Sequence, residues 1–117
     1  MRVHSVIGPG LLESVYRTCL KFELEDRGLD VNVEYPIPVV YRGTRIDVGH
    51  RVDLLVSDLV LVELKAQTTL HPVYEAQLLS YLRMSNRPMG LLINFHVVHL
   101  RDGIRRIANQ FPVRPHQ

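Results

Sequence analysis

The run Val60-Leu61-Val62-Glu63-Leu64-Lys65-Ala66 constrains the fold more than any other segment, because it is apolar on both parities and yet carries two charges. A strand apolar on both parities must be covered on both faces, so it belongs in the middle of a sheet. Strand side chains alternate, which sends Glu63 and Lys65 to one face and Val62 and Leu64 to the other. Charges among apolar neighbours are costly unless they are paired or hold an ion. The spacing therefore leaves two readings open: a same-face Glu63-Lys65 ion pair, or one part of a functional site.

The segments around this strand supply its covering layers. Leu11, Leu12, Val15, Tyr16, Cys19, Leu20 and Leu24 recur at helical spacing between Gly8-Pro9-Gly10 and Arg27-Gly28, predicting an amphipathic helix over 11–27. Val31 to Tyr41 is rich in Val and Ile, Arg42-Gly43-Thr44 signals a turn, and Arg45 to Val56 resumes as extended chain, which together suggest a hairpin. Pro36 and Pro38 cannot donate ladder hydrogen bonds and assign its first strand to a sheet edge. Ser57-Asp58 is a turn before the central strand, and Pro72 opens a second helix that runs to Asn86-Arg87-Pro88. Gly90 to Phe95 is a short apolar strand, Asp102-Gly103 a turn, Ile104 to Ala108 a final edge strand, and Phe111 to Gln117 an irregular tail. The order α-β-β-β-α-β-β predicts the α/β class, a mixed central sheet flanked by two helices.

At 117 residues the chain is long enough for one hydrophobic core, and we expect a single domain over 1–117. No segment approaches the roughly 18 to 20 apolar residues that span a bilayer, and no apolar run follows Arg2 as a signal peptide requires. We therefore expect a cytoplasmic protein with no membrane partner. Cys19 stands alone, which excludes an internal disulfide and a cysteine-based zinc site. The net charge is only +2, but beyond Glu75 the sole acid is Asp102, against Arg83, Arg87, Arg101, Arg105, Arg106 and Arg114. That asymmetry suits an anionic partner, and equally an ordinary solvated arginine face.

Asp53, ten residues before Glu63 on the neighbouring hairpin strand, adds a second carboxylate able to reach the same place. Two carboxylates together favour a divalent cation, and hard oxygen donors suit Mg²⁺ or Mn²⁺. Such an ion polarises a phosphoryl oxygen and acidifies water, which points to phosphodiester hydrolysis. Lys65, on the same face, would hold the attacking water or the scissile phosphate. If so, the carboxylates of Asp53 and Glu63 converge; side chains leaving opposite faces of the sheet would remove the site. His96 and His99 are three apart, on opposite faces of a strand, and no HExxH is present, so a histidine-zinc enzyme is rejected. His50 and His71 flank the site in sequence and read better as surface residues than as ligands.

Asp53, then Glu63-Leu64-Lys65, then Gln77-Leu78-Leu79-Ser80-Tyr81 resembles the D, ExK and QxxxY series of the PD-(D/E)XK nuclease superfamily, especially its RecB-type exonuclease branch. Gly10-Leu11-Leu12-Glu13-Ser14-Val15-Tyr16 is similar to the motif of the GxxExxY family, small prokaryotic proteins assigned to that superfamily. The similarity extends through Glu75 to Leu82, Gly90 to Phe95 and Asp102-Gly103-Ile104 and covers nearly the whole chain. It implies a restriction-endonuclease-like domain and metal-dependent nuclease activity, on DNA ahead of RNA, with Mg²⁺ or Mn²⁺ as cofactor. It further implies Asp53 and Glu63 as metal ligands, Glu13 as an additional acid beside the metal, and Gln77 hydrogen-bonding near metal or substrate. Tyr81 supports Gln77, and Tyr16 packs with its hydroxyl directed toward the site. The alternative is a catalytically weak or inactive nuclease-fold protein that binds nucleic acid or acts as an assembly partner; in either case a homodimer is an available arrangement.

Overall fold

The computed structural model describes residues 2–46 and 50–110. Two helices, α1 (Arg2–Ile7) and α2 (Glu13–Asp26), precede β1 (Val31–Pro36), β2 (Val39–Tyr41), β3 (Thr44–Ile46), β4 (Arg51–Val56) and β5 (Val60–Lys65). They are followed by α3 (Val73–Ser85), β6 (Met89–Asn94), a 3-10 turn at Leu100–Gly103, and β7 (Ile104–Ala108). The five-stranded sheet runs β1-β4-β5-β6-β7, antiparallel except for the parallel pair β5 and β6. This is the mixed α/β architecture read from the sequence, with β5 at the centre and the proline-bearing β1 at an edge. The long hairpin differs in detail: β2 and β3 form a separate two-stranded ribbon inserted between the paired strands β1 and β4. Helix α1 was not predicted, since six residues are too few to show a periodicity. The tail 111–117 lies outside the described residues.

Burial follows the parity of the central strand. Val62 and Leu64 join Tyr16, Leu54, Val56, Ile93 and Phe95 in one core, which α1 and α2 cover. Leu61 joins Val52, Leu55, Leu92 and the α3 residues Leu78 and Leu82 in the other. Glu63 and Lys65 therefore open toward the α3 side. Gly90 permits that helix to sit close, since a Cβ there would stand 3.0 Å from Leu78. Arg87, one of the arginines of the basic end, turns back onto Asp58 at 2.7 Å and lies over the Tyr35 ring, while Arg105 faces Glu75 at 3.7 Å. Those arginines do not act as one free patch.

Helix α2 begins two residues later than its periodicity suggested, because the chain before it is held as a turn. The Tyr16 hydroxyl donates to the Gly8 carbonyl at 2.7 Å and accepts the Leu11 amide at 3.0 Å. Its ring is fully buried and stacks on Phe95 at a centroid distance of 4.2 Å. Gly10 takes φ +97°, a conformation that side chains rarely adopt. Nearby, the His4 ring nitrogen Nε2 reaches the Val97 carbonyl at 2.7 Å and ties α1 to the loop after β6. The Gly10 and Tyr16 of the sequence motif are thus a turn and its clamp, and the Tyr16 hydroxyl does not point toward the charged strand. Tyr16→Phe keeps the ring and removes the clamp, leaving a buried amide and carbonyl without their partner. We expect a loss of about 1–3 kcal/mol in urea denaturation, with the chemistry at Glu63 and Lys65 unchanged.

Candidate active site

The site is created by a break in the strand ladder. The register of β4 with β5 ends at Leu54 opposite Val62. One step further the Leu64 amide donates to the Asp53 side chain, Oδ2, at 2.8 Å. A carboxylate thus takes the place of a backbone acceptor where the strands part. The chain also rotates here: Val52 and Leu54 are two residues apart, yet they belong to opposite cores. Opposite them on β1, Glu34 takes φ +53°, unusual for a residue with a side chain. These departures from regular extension bring Asp53 beside Glu63, which regular alternation alone did not guarantee.

The two carboxyl groups are close enough to hydrogen-bond to one another. Glu63 is pushed up to about 8, first by burial, then by its hydrogen bond with Asp53 and by the Asp53 charge; Lys65 opposes the shift without overcoming it. On the far side Arg17 of α2 lies 3.4 Å from Asp53 Oδ1 and 3.4 Å from Glu34 Oε1. Lys65 does not pair with Glu63. Its ammonium lies 4.2 Å above the Tyr74 ring centroid, where a cation is attracted to the ring face. The Tyr74 hydroxyl accepts from Gln67 Nε2 at 3.0 Å. Gln67 is itself clamped through its backbone by the buried Asn94 side chain, at 3.1 and 2.8 Å.

His50 completes the near wall. Its ring stacks on Tyr81 at 4.2 Å with an interplanar angle of 27°, and its Nε2 stands 3.9 Å from Glu63 Oε2. Burial, and then the Lys65 charge, lower its pKa against the opposing pull of Asp53. The Tyr81 phenol is pushed up by burial and by the Glu63 charge.

The structure therefore gathers Asp53, Glu63, Lys65 and Tyr81. Glu13 and Gln77 stand differently from what the resemblance implied. Glu13 is the first residue of α2, one turn before Arg17, and among the described residues it makes no hydrogen bond or ion pair. Gln77 shares a helical stripe with Tyr74 and Tyr81 but is exposed, and among the described residues it makes no hydrogen bond. Among the described residues no three His, Cys, Asp or Glu side chains are gathered closely enough, as placed, to hold a metal ion, so Glu13 does not join Asp53 and Glu63 as a third ligand. Arg17, Tyr74 and His50 were not assigned from sequence. Arg17 and Tyr74 carry a faint signal in their helical spacing, at four residues from Glu13 and three from Gln77. His50 carries none, because three residues from Asp53 on a regular strand would be the opposite face. His71 accepts the Val73 amide at the start of α3 at 3.0 Å and remains an exposed residue, as read.

Two oxygen donors that share a proton for want of positive charge, beside a buried imidazole nitrogen that lacks a hydrogen-bond partner, fit a divalent cation. With this geometry in hand, comparison with known proteins gives one match: the PD-(D/E)XK nuclease superfamily, over residues 1–107. No curated protein and no solved structure matches significantly.

The raised Glu63 pKa fixes the sign of a pH effect. Between its ordinary value of 4.5 and about 8 the folded state holds a proton that the unfolded chain releases. Metal-free protein therefore loses stability as pH rises through this window, with a slope of at most about 1.4 kcal/mol per pH unit. Urea denaturation in chelator from pH 5 to 8 should show the decline, and Glu63→Gln should flatten it.

Proposed function

Because the chain belongs to the PD-(D/E)XK nuclease superfamily, we propose that it is a metal-dependent nuclease that hydrolyses phosphodiester bonds in nucleic acid, DNA ahead of RNA. The observation that carries this reading is the meeting of Asp53 and Glu63 at the parted strands, with Lys65 on the same face as Glu63. Asp53 and Glu63 would hold Mg²⁺ or Mn²⁺, which when bound supplies polarisation of a phosphoryl oxygen and a more acidic water.

The remaining chemistry belongs to the chain. Lys65 places a compact positive charge beside the carboxylates, where it orients the attacking water or stabilises the phosphoryl oxygens as charge builds on them. The Tyr74 ring beneath its ammonium limits the positions it can take, so the charge is aimed before substrate arrives. Arg17 neutralises the outer oxygen of Asp53 and leaves the inner side of that carboxylate toward Glu63. Glu13 and Gln77 have no partner among the described residues and are free to meet substrate rather than the ion.

The test is cleavage of labelled single-stranded, double-stranded and branched DNA and of RNA, with Mg²⁺, Mn²⁺ or chelator. We expect cleavage only with metal, and a loss of at least about 100-fold in Lys65→Ala. Cleavage in chelator, or equal rates in Lys65→Ala, would overturn the mechanism. Salt-sensitive binding with every substrate left intact would favour the binding protein instead.

A further inference from the structure

We infer that His50 is a third donor to the divalent cation held by Asp53 and Glu63, through its Nε2 nitrogen. The inference rests on the nuclease reading but adds a ligand that the D, ExK and QxxxY series does not contain.

Nε2 is buried and has no hydrogen-bond partner. Such an atom is costly to bury, and a functional partner absent from the protein itself explains it. Its nearest acidic oxygen, Glu63 Oε2, is 3.9 Å away, beyond hydrogen-bond reach. Two donors that each stand about 2.1 Å from one ion are separated by about 3 to 4 Å, so this spacing suits shared ligation better than direct contact. The imidazole is aimed from behind: its ring rests on Tyr81, and the His50 carbonyl accepts the Ile37 amide at 3.0 Å. Tyr81 thereby becomes a positioning residue. A small rotation of the side chains is still needed, since the three groups are not gathered tightly as placed. A nitrogen joining two oxygens shifts preference from Mg²⁺ toward Mn²⁺, because imidazole is a softer donor than carboxylate.

The experiment uses the full chain with Mn²⁺ alone and needs no substrate. Pulsed EPR of the Mn²⁺ complex should show coupling to nitrogen, altered on ¹⁵N-histidine labelling and lost in His50→Gln. Mn²⁺ affinity, measured by titration, should fall about tenfold or more in His50→Gln, and the preference for Mn²⁺ over Mg²⁺ should narrow. Bound Mn²⁺ that depends on Asp53 and Glu63 but shows no nitrogen coupling would overturn the His50 ligand and leave the nuclease reading standing. Failure of the wild-type chain to bind Mn²⁺ would overturn both.

Discussion

Where β4 and β5 part, the Leu64 amide has lost the carbonyl that a continued ladder would offer, and the Asp53 carboxylate accepts it at 2.8 Å. A buried amide without a partner is costly, so this contact lets the strands separate inside the fold. Much of the site follows from it. Separation opens room beside Glu63, and the same carboxylate that closes the backbone deficit is thereby fixed next to a second one. Asp53 then has two duties, one toward the sheet and one toward the site. Arg17 on its outer oxygen steadies it in both.

Lys65 is fixed by a different chain of contacts, from the other neighbour of β5. Asn94, opposite Lys65 on β6, turns its amide onto the Gln67 backbone, and Gln67 reaches the hydroxyl of Tyr74 beneath the ammonium. The carboxylates are thus positioned from the antiparallel side of β5 and the lysine from the parallel side. Both depend on β5 being central, with a hydrogen-bonded strand on each flank. A charged edge strand could not be held in this way.

The central strand and its two faces were legible because Val60 to Ala66 is apolar on both parities, and period alone then separates Glu63 and Lys65 from Val62 and Leu64. The edge position of β1 was legible through Pro36 and Pro38, and the second helix through the breaker at Asn86, which takes φ +55° as its left-handed cap. The place of His50 was not, because periodicity assumes regular strands and the chain rotates at Asp53. The motif residues misled in a physical way as well. Tyr16 is demanded by the turn at Gly8 to Leu11, and a residue demanded by a turn leaves the same mark in sequence as one demanded by chemistry. The buried stripe of α3 was placed too widely, since Leu78 and Leu82 bury while Gln77 stays in solvent.

An internal ion pair is the plainest alternative for a glutamate and a lysine on one strand face, and the electrostatics argue against it. A carboxylate whose main partner is an ammonium titrates below its ordinary range, because the partner favours its charged form. Glu63 moves the other way, driven by burial and by Asp53, while Lys65 acts only as the smaller opposing influence from its seat on Tyr74. The fold thus holds two acids together against their mutual repulsion and leaves the nearby cation turned onto a ring. For stability alone, apolar residues at Asp53 and Glu63 would serve β4 and β5 better, because burying a carboxylate that lacks a countercharge works against folding. What this arrangement favours is a further positive charge between the carboxylates, with Lys65 left free to act beside it.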